Sequence, residues 1–240
     1  MSAEIRWHVY SSPDTLADAL AAAVALRARQ RIASRGEYSI VLTGGSTPRA
    51  LYTRLAGIDS DWARWRIYFG DERCVPRGDA ERNDALAHAL WLGRVPIPED
   101  RIHAIPAELG PERGADAYAR LLADAGRFDT TLLGIGEDGH VASLFPGRPD
   151  GLDDDAPDAI GVRGSPKPPP ERVSLSARRL RESDEIVLLV TGAAKRDAIA
   201  RLARLDPSIP ATAVATGGAD VWLDEEAAAD LRTASEPDRL

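Results

Sequence analysis

The sequence has little that would tie it to an oxidising compartment or a membrane. Its single cysteine, Cys74, excludes a disulfide within the chain. No apolar run approaches the roughly 18 residues needed to span a bilayer. The alanine-rich stretch from Ala17 to Ala28 is interrupted by Asp18 and Arg27, and the first residues lack the basic-then-apolar pattern of a secretory leader. No H-x-x-x-H or C-x-x-C spacing offers metal ligands, and no Walker loop is present. The net charge of −8 argues against a general nucleic-acid binder, though it leaves room for a local basic pocket. The expectation is a cytoplasmic protein with neither a membrane nor a nucleic acid as partner. Lysine is also scarce. Of 30 basic residues only Lys167 and Lys195 are lysines, and the rest are arginines. These two are therefore suspects for tasks that need a compact ammonium rather than a planar fork.

Against this background, 240 residues fit one large α/β domain or two small ones. Strand-like runs at 5–10, 38–43, 66–70, 128–135, 173–176 and 185–190 alternate with helix-like segments. The helix from Pro13 to about Ser34 carries Leu16, Leu20, Val24 and Leu26 near one face. Further helices are expected from Pro48, from about Asn83, over 111–125, as a turn at 177–182, and after Lys195. Residues 210–215 and 219–223 read as the last strands, and 231–240 as a mobile tail. There is no clear repeat or linker, so the expectation is one domain over 1–240. Its class is α/β, a doubly wound, mainly parallel sheet with helices on both faces.

The stretch 132–146, LLGIGEDGHVASLFP, concentrates the chemistry. An apolar strand runs into Gly134, Gly136 and Gly139, with Asp138 and His140 beside the last of them. That places an acid and a base at the carboxyl end of a strand, where open α/β sheets bind ligands. Histidine titrates nearest neutral pH and suits proton transfer there. The glycines also match G-x-G-x-x-G. A dinucleotide fold would need a helix packed on the third glycine, whereas Pro146 and Gly147 follow within eight residues. Asp71 and Arg73 close another strand at the same edge. Gly44, Gly45, Ser46 and Thr47 follow the strand at 38–43 and open a helix at Pro48. Either hydroxyl can cap that helix, and the turn reads as an anion cradle. A third strand–glycine–helix passage puts Lys195 in a first helical turn, where a bound anion would offset its opposition to the helix dipole. The long Pro/Gly/Asp-rich segment 147–170, with one short strand near 159–162, reads as a functional lid. It ends in a stiff proline run that holds Lys167 and Arg172. Cys74 has no evident base partner, and His8, His88 and His103 read as structural or solvated.

TGGSTP (43–48), GDERCVP (70–76), LLGIGEDGHVASLFPG (132–147), PKPPPERVSLS (166–176) and VTGAAKRDAI (190–199) together resemble the 6-phosphogluconolactonase family, in that family's order and over most of the chain. The resemblance implies a modified Rossmann-like fold shared with glucosamine-6-phosphate deaminases. It also implies hydrolysis of 6-phospho-D-glucono-1,5-lactone without metal or organic cofactor, by a monomer or small homo-oligomer. The chemistry then asks for His140 as general base, oriented by Asp138 or Asp71, with Arg73 stabilising charge at the lactone. Gly44–Thr47, Lys167, Arg172 and Lys195 would form the phosphate cradle. Deaminase relatives carry a glutamate five residues after the central histidine, where this chain has Phe145. That difference favours hydrolysis over the runner-up reading, a sugar-phosphate isomerase/deaminase, and the Asp-Gly-His centre argues against a non-catalytic sugar-phosphate sensor, which would not need it.

Overall fold

The computed structural model describes residues 4–231; the tail expected at 231–240 lies outside them from residue 232 on. In chain order the elements are β1 (Ile5–Tyr10), α1 (Pro13–Arg35), β2 (Tyr38–Leu42), α2 (Pro48–Leu55), β3 (Trp65–Phe69), β4 (Asp71–Arg73), α3 (Asn83–Leu90) and α4 (Pro111–Leu122). They continue as β5 (Phe128–Leu133), β6 (Ala159–Val162), β7 (Arg172–Leu175), α5 (Ala177–Arg181), β8 (Ser183–Val190), α6 (Arg196–Ala203), α7 (Pro210–Ala215) and β9 (Ala219–Asp224).

Six strands form a wholly parallel sheet in the order β1-β9-β8-β5-β2-β3. Every residue of β2, β5 and β9 is buried, as expected when helices cover both faces. The polar residues inside β5 are paired across strands. Asp129 accepts from the backbone N–H and hydroxyl of Ser39 at 2.8 and 3.0 Å, and Tyr38 donates to Thr130 at 2.8 Å. Such pairing removes the cost of burying them.

The order places the site. From β2 the chain steps outward to β3; from β5 it steps the other way, to β8 and β9. The connections after β2 and β5 therefore diverge and leave a crevice at the carboxyl ends of those two strands, the topological switch point. The turns 43–48 and 134–140 both open there.

Several expectations are corrected. Asp71–Arg73 does not close the strand at 66–70 but forms β4, the edge of a second, antiparallel sheet in the order β4-β7-β6. Gly70 is the corner. Its N–H donates to Leu42 of the main sheet, and its carbonyl accepts from Leu175 of the small one. The short strand expected near 159–162 is present as β6, and its pairing with β7 anchors the 147–170 segment to this sheet as an arm. Residues 210–215 form helix α7, not a strand. The Ala-Thr-Ala-Val alternation imitates a strand, but Pro210 supplies a helical first residue and the alanines favour the helix. On α1 the buried face runs Leu16, Leu20, Val24 and Ala28, every fourth residue, while Leu26 points to solvent.

Candidate active site

A cavity of about 240 Å³ opens at the switch point. It gathers Gly44, Gly45, Ser46 and Thr47 from the turn after β2, and Asp71 and Arg73 from β4. His140 comes from the turn after β5, Lys167 and Arg172 from the arm, and Lys195 from the turn after β8. Asp138 stands behind His140 rather than on the cavity wall.

The turn after β5 is tightly constructed. Gly136 donates to the carbonyl of His140 at 2.8 Å, and Gly139 takes φ +88°, a left-handed conformation that suits glycine. This fold-back brings Nδ1 of His140 to 2.5 Å from Oδ1 of Asp138. A Cβ on Gly136 would lie 1.9 Å from that Nδ1 and 2.4 Å from the Asp138 oxygen, so the pair needs a glycine beneath it. Burial lowers the His140 pKa below the ordinary histidine value, against the opposing pull of Asp138. Burial works to raise Asp138, but its hydrogen bond and charge interaction with His140 outweigh that and hold it below the usual carboxylate range. At neutral pH the pair is thus an ionised carboxylate and a neutral imidazole. A carboxylate only accepts, so the ring proton sits on Nδ1 and the Nε2 lone pair is free.

Of the two acids expected to orient His140, Asp138 makes the contact. Asp71 is held elsewhere: Ser143 donates to its Oδ2 at 2.6 Å, Asn83 to its Oδ1 at 3.0 Å, and Arg172 approaches to 3.6 Å. Phe145 stacks obliquely on His140, ring centres 4.9 Å apart, while Ser143 belongs to the Asp71 network.

The cations differ in their contacts. Arg73 donates through Nη1 to the carbonyl of Glu81, while its Nε is buried without a partner. Arg172 is buried and donates to the carbonyls of Lys167, Pro168 and Pro169 at 3.0–3.2 Å, so its guanidinium chiefly clasps the arm. The clasp fixes the backbone of Lys167 at the cavity. Lys195 ends a single 3-10 turn and precedes α6; burial lowers its pKa, partly offset by Glu137. Neither Ser46 nor Thr47 caps α2 with its side chain. Thr47 instead meets Thr191 at 3.2 Å and ties the turn after β2 to the turn after β8.

Three residues of this network escaped the sequence. Glu72 is fully buried and accepts from the backbone N–H groups of Arg73, Asn83 and Asp84 at 2.8, 2.8 and 3.0 Å, which fixes the start of α3. Burial pushes its pKa up to about 7. Asn83 and Ser143 bracket Asp71. Nothing local distinguishes an asparagine at a helix start or a serine in a turn from ordinary polar residues.

The remaining titratable candidates lie outside the cavity. Burial pushes the Cys74 thiol up to about 11, which denies it nucleophilic character at neutral pH. His8 pairs with Asp220 at 2.6 Å, and His103 stacks on Tyr68. Among the described residues no group of three or more His, Cys, Asp or Glu side chains is placed to hold a metal ion, and no helix is long and apolar enough to cross a membrane.

A doubly wound α/β sheet with a histidine–carboxylate pair and a cationic, glycine-turned cavity at its switch point defines an enzyme of small anionic substrates. The chain belongs to the glucosamine-6-phosphate isomerase/6-phosphogluconolactonase family, whose profile matches residues 11–222. It is 40% identical to a 6-phosphogluconolactonase of Streptomyces coelicolor, over 92% of this chain and 92% of that one. It is 38% identical to a 6-phosphogluconolactonase of Mycobacterium leprae, over 96% and 99%. The solved 6-phosphogluconolactonase of Trypanosoma brucei superposes with a TM-score of 0.82 at 26% identity, covering 96% of this chain and all of that one.

Proposed function

We propose that this protein hydrolyses 6-phospho-D-glucono-1,5-lactone to 6-phospho-D-gluconate, the lactone step of the oxidative pentose phosphate pathway. The observation that carries the reading is His140, backed by Asp138, in the same cavity as Arg73 and both lysines. The named relatives agree with it.

Each chemical requirement has a group. Nε2 of His140 takes a proton from water, and the resulting hydroxide adds to the lactone carbonyl. Arg73, which lines the cavity, supplies positive charge beside the developing oxyanion. Collapse of the tetrahedral intermediate breaks the bond to the ring oxygen, which recovers the proton from His140 as it leaves as a hydroxyl. The exposed turn Gly45–Thr47 before α2, with Lys167 and Lys195, holds the remote phosphate, and Arg172 keeps Lys167 in place. Phe145 shields His140 from bulk water, where a deaminase would need a further proton-transferring carboxylate.

One continuous apolar cluster reaches from the main sheet into the small one, which supports reading the chain as one domain. All the site groups come from one chain, so a monomer or small homo-oligomer suffices. The half-buried Cys74 is compatible with the cytoplasm, where we place the enzyme. Two assays test the function: hydrolysis of the phosphorylated lactone above its spontaneous rate, and ammonia release from glucosamine 6-phosphate. The first is expected and the second is not; the reverse pattern would establish the deaminase.

A further inference from the structure

Asn83 lines the cavity and is only 3% exposed. Its Nδ2 donates to the backbone carbonyl of Asp71 at 2.8 Å and to its carboxylate at 3.0 Å. A carbonyl can only accept, so the amide has one possible orientation, with nitrogen toward Asp71 and oxygen away from it. The backbone of Asn83 is equally fixed, because its N–H donates to the buried Glu72 at 2.8 Å.

The amide oxygen points at Gly44. A Cβ on that glycine would lie 1.7 Å from Oδ1. Gly45, not Gly44, carries the positive φ of this turn, at +96°. Gly44 therefore owes its missing side chain to the space the amide takes rather than to backbone geometry. Among the described residues no donor reaches Oδ1. The protein thus holds a rigid, unpaired acceptor in the wall of a cavity otherwise rich in donors. A phosphate dianion has no proton to offer it, whereas a sugar hydroxyl does.

We propose that Asn83 determines specificity by accepting, through Oδ1, a hydrogen bond from one ring hydroxyl of the substrate, an inference that rests on the lactonase reading above. It also orients the substrate. The hydroxyl-bearing ring lies against Gly44 and Asp71. The phosphate lies at the other end of the turn, where Thr47 meets Thr191 near Lys195.

The test compares kcat/KM for the phosphorylated lactone with that for its 2-, 3- and 4-deoxy forms. The unmodified enzyme is expected to lose about 10–100-fold on one of the three, the penalty for leaving a buried acceptor unpaired. In Asn83→Ala that loss should shrink to nearly none, while the ratios for the other two analogues stay as they were. Asn83→Ser, too short to reach the same hydroxyl, should behave alike if the alanine variant does not fold, with thermal unfolding as the check. A variant slower on all four lactones with unchanged ratios would give Asn83 a purely structural role and overturn the proposal, as would an unmodified enzyme indifferent to all three deoxy forms. Absence of hydrolysis of the parent lactone by the unmodified protein would instead overturn the lactonase reading itself.

Discussion

His140 and Asp138 stand two residues apart in sequence and 2.5 Å apart in space, Nδ1 to Oδ1, because the glycine turn between Gly136 and Gly139 folds the chain back on itself. The contact sets the tautomer of the imidazole and moderates its titration. Burial holds the His140 pKa below the ordinary value of 6.5, while Asp138 works to raise it. Activity needs the neutral ring, so kcat/KM should fall as pH drops, along a limb centred below 6.5. The same sign governs stability. A histidine with a depressed folded pKa contributes stability at high pH and loses it as pH falls through the folded pKa.

Asp138→Asn removes the charge that raises the histidine, so the limb should move further toward acid. The asparagine amide can also donate to Nδ1 and leave the proton on Nε2, the wrong nitrogen for a base. Turnover should therefore fall by roughly 10²–10⁴. A pH–rate profile that keeps both its height and its midpoint would contradict the pairing.

Gly136→Ala tests the turn while leaving His140 and Asp138 themselves unsubstituted. Its Cβ would lie 1.9 Å from Nδ1 of His140, so the imidazole must swing away. His140 and Asp138 are both partly exposed and can move without collapsing the core. Turnover should drop by about 100-fold or more, as for a misplaced base, with only a small change in melting temperature. Equal activity with alanine there would mean the pair is not needed.

Lys167 and Lys195 approach the cavity from different elements, and both are assigned to the phosphate. Alanine at either should cut kcat/KM on the phosphorylated lactone by about 10–100-fold, the worth of a charge-assisted hydrogen bond. Hydrolysis of the unphosphorylated lactone should change little. Arginine should restore only part of the loss, because its planar fork does not reproduce a compact ammonium. Equal losses on both lactones would move these lysines to the reacting end.

Most of the parallel sheet was legible because β2, β3, β5 and β8 are short runs dominated by apolar and β-branched residues, each followed within two residues by a glycine. The turns 44–47 and 134–140 were legible too, since glycine, hydroxyl, acid and base stand consecutively. The small antiparallel sheet was not. It joins Asp71–Arg73 to strands about a hundred residues later, and its edge strand is three charged residues that carry no strand signature. Arg172 reads as a free cation in sequence, and only its three carbonyl partners reveal a clasp. Asn83 gains its meaning from Asp71 on one side and the space left by Gly44 on the other, a juxtaposition made by the fold alone.

This chain is expected to hydrolyse a phosphorylated sugar lactone with His140 as the base. The most direct measurement follows 6-phospho-D-glucono-1,5-lactone against its spontaneous hydrolysis, with the unmodified protein and His140→Ala side by side at equal folded concentration. The expected result is a rate well above background for the first and a loss of roughly 10²–10⁴ in turnover for the second, with matching unfolding curves. A His140→Ala variant that turns over at nearly the unmodified rate would contradict the mechanism, and an unmodified protein no faster than background would contradict the function.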